Sequence, residues 1–374
     1  MAVAHELKRL KPGAEIIYIG QRGDALSDVP RRDPNIDEVY QVSAGKFRRY
    51  HGEGLKQLLD LPTMYKNIRD GFRVIAGILQ SYRLLKRLRP DVVFTRGGFV
   101  SVPVALGAKL CKIPYITHDS DAIPSLANRL IARWATTHAV ALPKEVYAYP
   151  QAKTVTVGVP ISHQYTLVSD KAMQVFRKEL GIEQYQKVLL VTGGGNGAKR
   201  LNEAVVECAA HLLSRYEDLV ILHIAGRALE ADLRQLYKTA LEPAQLERVK
   251  VYGFVHDMYR YSGAADVTIT RAGGTVLAEF AAQGKACILV PNPQLTGGHQ
   301  SKNAKVLVER HAVMLVEDAK VTADSLALMP PLTDLFDHAE KRKAMGQEFH
   351  KLAQSDAAEQ LAVVLLGIGN AKQT

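Results

Sequence analysis

Short runs of apolar, often β-branched residues alternate along this chain with longer stretches in which apolar positions recur every three or four residues. The runs Glu15–Gly20, Asp91–Phe94, Tyr115–Thr117, Ala139–Ala141 and Thr154–Val157 predict strands in the first part. Lys187–Val191, Leu219–His223, Val249–Tyr252, Asp266–Thr270, Cys287–Val290 and Val313–Val316 predict a second set. Strands that are apolar throughout, separated by helical patterns, indicate parallel sheets covered by helices on both faces. Gly158-Val-Pro160 punctuates the chain between the two sets. The pattern therefore predicts two doubly wound domains, over 1–160 and 161–338, followed by a helical segment over 339–374. A helix is also expected over 2–10.

One helical pattern differs from the rest. Between Met64 and Arg89, Ile68, Phe72, Ile75, Leu79 and Tyr82 mark one face. Lys66, Arg69, Arg73, Arg83, Lys86, Arg87 and Arg89 flank it. An apolar stripe rimmed by cations suits a helix lying in a membrane interface, and suits equally a core helix with a basic outer face. Charge adds weight to the first. The net charge is +10, and residues 1–160 hold 24 Lys and Arg against 14 Asp and Glu, while the remainder balances at 24 of each. An anionic partner is expected for the first part, with Phe72, Ile75, Leu79, Arg69, Arg73 and Arg83 at its contact.

Composition narrows the setting. At 374 residues with 47% hydrophobic content, the chain is long enough for two cores. No run reaches ~18 uninterrupted apolar residues, as a membrane-spanning helix would need. The N-terminus lacks a signal-peptide pattern. Cys111, Cys208 and Cys287 lie far apart, and read as thiols in a reducing compartment rather than as disulfides or metal ligands. The expected location is the cytosol or the cytoplasmic face of a membrane.

Candidate chemistry sits in glycine-rich turns that follow strands. Arg271-Ala-Gly-Gly-Thr-Val-Leu-Ala-Glu279 breaks a buried strand and opens a helix, with Pro291–Gln300 behind it. The first N–H groups and the dipole of such a helix attract an anion. A carboxylate a turn further in suits the hydroxyls of a ribose, so the pair fits a nucleotide, and fits equally an ordinary strand-to-helix junction with a surface glutamate. Val191-Thr-Gly-Gly-Gly-Asn-Gly-Ala198 forms a second such turn, with neither the dinucleotide fingerprint nor the Walker spacing. In the first part, Thr95-Arg-Gly-Gly98 follows a strand, and His118-Asp-Ser-Asp121 carries a histidine and two carboxylates. Asp119 and Asp121 could ligate a metal or serve as a base, and are equally common as solvated loop residues.

Six segments in order carry a resemblance: Thr95–Ser101, His118–Leu130, Gly193–Ala198, Phe254–Met258, Arg271–Glu279 and His299–Asn303. Together they resemble the MurG family of UDP-N-acetylglucosamine transferases, which convert lipid I to lipid II in peptidoglycan synthesis. The resemblance implies the GT-B fold, α/β, with two Rossmann-like doubly wound parallel-sheet domains and an interdomain cleft. The first domain would receive a lipid-linked muramoyl-pentapeptide acceptor at the anionic inner membrane surface, and the second would hold UDP-GlcNAc. The final helical segment would pack back toward the first domain. No cofactor, metal or nucleic acid is implied.

By the same resemblance Glu279 holds the ribose, and Gly274, Thr275, Val276 and Leu277 cradle the diphosphate. Val255 meets the uracil through its backbone, while His299 and Gln300 meet the sugar. Four positions depart from the family's usual residues: Gly195 stands for Ser, Asn196 for Gln, Asp121 for Asn and Ser162 for Arg. The family's first strand and its Gly-rich loop with a histidine would precede Ala2, so either the true start is expected upstream of Met1, the favoured reading, or the first sheet lacks its central strand. Donor binding and transfer are then expected to separate, with His118 and Asp121 as the remaining base candidates. Three other readings share the layout: a sibling transferase on another lipid acceptor, a UDP-GlcNAc 2-epimerase, and a donor-binding protein with impaired catalysis.

Overall fold

The computed structural model describes residues 1–24, 27–45, 61–195, 197–293, 298–324 and 326–371; the side chains of 61–66 and of 371 lie outside that description. Contacts divide the chain into two compact units. One comprises 1–162, 294–299 and 355–374, and the other 163–293 and 300–354.

In the first unit the chain runs through α1 (Ala2–Leu10), β1 (Ile17–Gln21), α2 (Asp28–Arg32), β2 (Glu38–Val42), α3 (Leu61–Leu88), β3 (Val93–Thr95), α4 (Ser101–Leu110), β4 (Tyr115–Asp119), α5 (Leu126–Ile131), β5 (Thr137–Val140) and β6 (Thr154–Thr156). All its ladders are parallel, but the expected doubly wound sheet is in two pieces. β1 pairs with β2, and β3-β4-β5-β6 form a separate sheet. Among the described residues, β1 and β3 each have one ladder partner. One core nevertheless joins the pieces: Val42 of β2, Leu85 of α3, Val93 of β3 and Tyr115 of β4 pack in one cluster, with Ile19 of β1 against it. β2 has no counterpart among the strands expected from the sequence. Glu38-Val-Tyr-Gln-Val42 is too polar to read as a buried run, and only Val42 is buried.

The second unit contains α6 (Asp170–Glu179), β7 (Lys187–Thr192), α7 (Lys199–Arg215), β8 (Leu219–Ile224), α8 (Glu230–Ala240), α9 (Pro243–Leu246), β9 (Val249–Tyr252), α10 (Met258–Ala264), β10 (Val267–Thr270), α11 (Gly274–Ala282), β11 (Ala286–Leu289), α12 (His299–Glu309), β12 (Met314–Leu315), α13 (Asp318–Ala323), α14 (Met329–Asp337) and α15 (Ala339–His350). Its six strands form one parallel sheet in the order β12-β11-β10-β7-β8-β9. β7, β8, β10 and β11 are buried almost throughout, which is why their sequences are apolar without alternation. Separate clusters cover its two faces, one around Leu201, Leu212 and Leu332, the other around Phe280, Leu222 and Phe349.

The helical segment expected over 339–374 is divided between the units. α15 packs on α11 and β11 through Gly346, where a Cβ would strike the Gly284 carbonyl. The last helix, α16 (Ala357–Ala371), packs on α1 in the first unit. Leu361 and Leu365 meet Val3 and Ile116 there, and Arg9 reaches Glu359 at 2.7 Å.

Candidate functional site: two glycine turns on neighbouring strands

The chain order of the second sheet reverses between β7 and β10, which are hydrogen-bonded neighbours in the register Thr192↔Thr270. Both strands end at that pair, so Gly193–Ala198 and Arg271–Gly274 leave the sheet side by side. In open α/β sheets this switch point is where ligands bind. The first turn is built by its glycines. Gly197 has φ +74°, and a Cβ there would strike the Ala225 carbonyl; a Cβ on Gly193 would strike the Ala198 backbone. Gly194 donates to Thr192 Oγ1 at 3.2 Å, and Gly197 N–H to the Gly194 carbonyl at 2.9 Å. Gly194 and Gly195 are left exposed. Asn196 lies outside the described residues.

The second turn is held from behind. Arg271 is buried, and its Nη1 donates to the Val290 carbonyl at 2.8 Å and to Asp318 Oδ1 at 2.5 Å. Asp318 is itself buried and accepts from Arg200 Nη1 at 3.1 Å. Asn303 of α12 donates to the Ala272 carbonyl at 3.1 Å. An α-helix cannot pair its own first-turn N–H groups internally, and no side chain caps α11 at Gly273. The turn thus sets the positive end of a helix dipole at the mouth of the sheet, the recognition chemistry of a phosphate. Gly274, Thr275 and Val276 line this opening and are half-buried, whereas Leu277 is turned into the core.

Glu279 follows in α11, half-buried. The hydroxyl of Tyr165 is hydrogen-bonded to it, and burial together with that carboxylate pushes the phenol pKa well above its ordinary value. Tyr165 is buried with its ring edge-on to Tyr259 at 6.3 Å. Sequence reasoning missed this tyrosine: it lies 114 positions from Glu279, in a segment with no periodic signal. Gln300 is buried at the start of α12, and its Oε1 accepts from Asn292 N at 2.8 Å. His299 is half-buried beside it in sequence, and residues 294–297 lie outside the described residues. Val255, after β9, is half-buried against the Leu222 and Phe280 cluster. Next to it, Phe254 lies under the Arg227 guanidinium at 4.6 Å.

In the first unit the residues singled out from the sequence divide into frame and surface. His118, expected as a base candidate, is fully buried, and its Nε2 lies 2.8 Å from the Gly158 carbonyl. That contact requires Nε2–H, leaving Nδ1 as the acceptor, 3.4 Å from Ser120 Oγ. Burial, with the nearby Arg96 charge, pulls its pKa down to about 4. Taking up a proton would create a buried cation beside another, and the Nε2 contact ties β4 to Gly158. Asp119 is likewise structural. It accepts from Ser125 N at 3.0 Å, Asn128 Nδ2 at 2.9 Å and Tyr149 Oη at 2.8 Å. Those bonds fix the loop 120–125, and no cluster of three metal-ligating side chains occurs among the described residues.

Asp121 is half-buried, and its carbonyl accepts from Tyr147 Oη at 3.1 Å. Beside it in sequence, Ser120 accepts from Arg96 Nη2 at 3.1 Å. Gly97, at φ +82°, lets the Thr95–Gly98 turn lie against Ser125 and Asn128. Ser162, the last residue of the first unit before the second begins, is half-buried.

The stripe on α3 faces out. Ile68, Phe72, Ile75 and Leu79 are 53–69% exposed. The opposite side of α3 packs through Asp70, Gly77, Ser81 and Leu85. Arg69 and Arg73 flank the stripe, each within 3.6 Å of Asp70 Oδ1, and Arg83 is exposed.

Residues 1–140 match the glycosyltransferase family 28 N-terminal domain, and residues 188–361 its C-terminal domain. A UDP-N-acetylglucosamine–N-acetylmuramyl-(pentapeptide) pyrophosphoryl-undecaprenol N-acetylglucosamine transferase of Moorella thermoacetica is 30% identical, covering 98% of this chain and 94% of that one. The Natranaerobius thermophilus protein of the same name is 31% identical over 85% and 83%. Among solved structures, Acinetobacter baumannii MurG superposes with a TM-score of 0.63 at 24% identity over 98% and 94% of the two chains. A Neisseria meningitidis UDP-GlcNAc 2-epimerase bound to UDP-GlcNAc superposes at 0.62 with 17% identity over 95% and 100%. These likenesses place the fold among GT-B proteins, and the identity over nearly the full length goes further: the chain belongs to the MurG family of glycosyltransferase family 28.

Proposed function

We propose that this enzyme transfers N-acetylglucosamine from UDP-GlcNAc to a lipid-linked muramoyl-pentapeptide, the reaction its curated relatives are named for. The observation that carries the reading is the pair of glycine turns on β7 and β10, adjacent at the switch point of the second sheet. Backbone donors of the two turns and the α11 dipole meet the diphosphate and stabilise the charge that develops on UDP as it leaves. Glu279, oriented by Tyr165, takes the ribose hydroxyls; Val255 meets the uracil; Gln300 and His299 meet the sugar. Glu279→Ala is expected to weaken UDP by about 1.5–3 kcal/mol, the range for hydrogen bonds to a charged group, while the melting temperature of the ligand-free protein barely moves. Unchanged UDP affinity by calorimetry would remove that role.

In this reading the first unit receives the acceptor, with Asp121 as the base that takes the proton of its hydroxyl. A positioned base contributes roughly 100- to 10,000-fold. Asp121→Ala is therefore expected to slow transfer to a lipid-linked MurNAc acceptor by that factor with donor affinity intact. Transfer at the parent rate would place the base elsewhere; loss of donor binding would contradict the assignment of the donor to the second unit.

The exposed stripe of α3, set in the basic part of the chain, lies against an anionic membrane surface in this proposal. No described helix is long and apolar enough to cross a membrane, so contact is peripheral. Full burial of one such side chain contributes about 1.5–3 kcal/mol. The triple change Phe72→Ser, Ile75→Ser, Leu79→Ser is accordingly expected to weaken partition onto anionic vesicles at least tenfold. Unaltered partition with an intact fold would show that this face is not the contact. The same surface speaks against the epimerase reading, whose soluble sugar-nucleotide substrate needs no membrane contact.

A further inference from the structure

The exposed row on α3 does not stop at Leu79. Continuing at helical spacing it reaches Tyr82 and Lys86, and there it runs into a recess between the C-terminal ends of α3 and α4. Tyr82, Leu85, Lys86 and Arg89 form one wall, and Leu110, Cys111 and Ile113 the other, around about 320 Å³. That volume is at the lower end for small-molecule sites. The floor is apolar: Leu85 and Ile113 are buried. Leu110, 59% exposed, forms an apolar rim. Two cations stand at the mouth. Lys86 lies 5.7 Å from the Tyr82 ring centroid, and neither it nor Arg89 forms an ion pair among the described residues. Arg89 ends α3 in the left-handed region at φ +48°, its N–H on the Leu85 carbonyl at 2.8 Å. Glycine or asparagine ordinarily fills that position. Lys112 takes the same conformation, φ +59°, just past α4.

Cations near helix C-termini also answer the helix dipole, and that alone accounts for their sign. It does not account for an apolar recess between them that is continuous with an exposed apolar stripe. We infer that this recess is a discrete binding site for one anionic phospholipid, its phosphate at Lys86 and Arg89 and the start of an acyl chain over Leu110, Tyr82 and the Leu85–Ile113 floor. The inference rests on the reading of α3 as the membrane-facing helix, and adds to it a stoichiometric site where the stripe alone would adsorb any anionic surface.

The test uses the full chain and dihexanoyl phosphatidylglycerol below its micellar concentration, so that no bilayer is present. Calorimetry is expected to show saturable 1:1 binding. Occupancy should also slow alkylation of Cys111, the one cysteine that is not fully buried, at least fivefold. Lys86→Gln with Arg89→Gln should weaken that lipid tenfold or more, and dihexanoyl phosphatidylcholine should bind as weakly to the parent. The triple serine variant of the stripe should keep short-chain lipid binding while losing vesicles, so the two readings can fail separately. Absence of saturable binding, or binding unchanged by the double variant, would overturn the site. Glycerol 3-phosphate binding as tightly as the lipid would also overturn it, by showing a simple phosphate site. If the double variant fails to fold, Leu110→Gln on the rim provides the second test, with the same loss expected.

Discussion

Acidification from pH 7 to pH 4.5 is expected to destabilise this protein, its first unit most. Three histidines are buried in neutral form. His118 and His138 have their pKa values lowered to about 4, and His223 to about 3, in each case first by burial. Their ring nitrogens are committed: His118 to Gly158, His138 to Thr117 at 2.8 Å, and His223 to Tyr237 at 2.8 Å and Asn202 at 3.1 Å. In the unfolded chain each would titrate near 6.5. Above that pH neither state binds the protons and the full stability is present. As the pH falls from about 6.5 toward 4, the unfolded chain takes up protons that the folded one refuses. Each histidine then costs about 1.4 kcal/mol per pH unit; His118 and His138 act on the first unit, together about 3 kcal/mol per pH unit, and His223 acts on the second. Two pH units of acidification thus approach the lower end of an ordinary domain's stability, ~5–15 kcal/mol, in the first unit. Asp119, whose pKa burial raises, works in the opposite sense, as one group against two. Urea midpoints at pH 7, 6, 5 and 4.5 should fall progressively, and His138→Gln should flatten the slope of the first unit's transition by roughly half. A midpoint constant between pH 7 and 5 would show that these histidines do not stay neutral in the folded protein.

The second large effect is expected at Asp318, a residue with no direct part in the proposed chemistry. Replacing it by alanine leaves the buried Arg271 guanidinium with the Val290 carbonyl and no counter-charge. Breaking a buried pair from one side costs about 3–5 kcal/mol, whereas replacing both partners by apolar groups is often close to neutral. Asp318→Ala should therefore lower the melting temperature by roughly 6–20 °C. It should also weaken UDP, since Arg271 opens the β10 turn. Asp318→Leu combined with Arg271→Met should recover much of the melting temperature but not the UDP affinity. An Asp318→Ala protein as stable as the parent would mean the charge finds another partner or water.

Reading the chain alone located most of the frame because its central strands are buried on both faces, and continuous apolar runs admit few other interpretations. β2 escaped because four of its five residues are not fully buried, so its sequence carries no apolar run. The glycine turns were legible for a local reason: strand, glycine and helix follow one another within ten residues. What joins distant segments was not. The bonds of Tyr165 to Glu279, Asp318 to Arg271 and Tyr149 to Asp119 each close a loop of 30 to 114 residues, and nothing in either local sequence announces the other. The burial of His118 was not legible either, because a polar residue at the end of a strand can point to solvent or back into the fold. Only the position of Gly158, forty residues later, decides between them.

The ladder between β7 and β10 also bears on how this site tolerates change. The distance between the two turns is set by backbone hydrogen bonds four residues deep, from Val267↔Leu189 to Thr270↔Thr192. Adjacent strands in such a ladder stay about 4.8 Å apart whatever side chains they carry. The exposed positions beyond the ladder, Gly195 among them, can therefore drift from the family's usual residues without moving the frame. The glycines that backbone closely approaches, Gly193 and Gly197, and Gly194 with its φ of +83°, are barred from drifting. A substitution at such a position leaves the geometry fixed by the sheet in place, and the choice among related donors then falls to a few rim side chains.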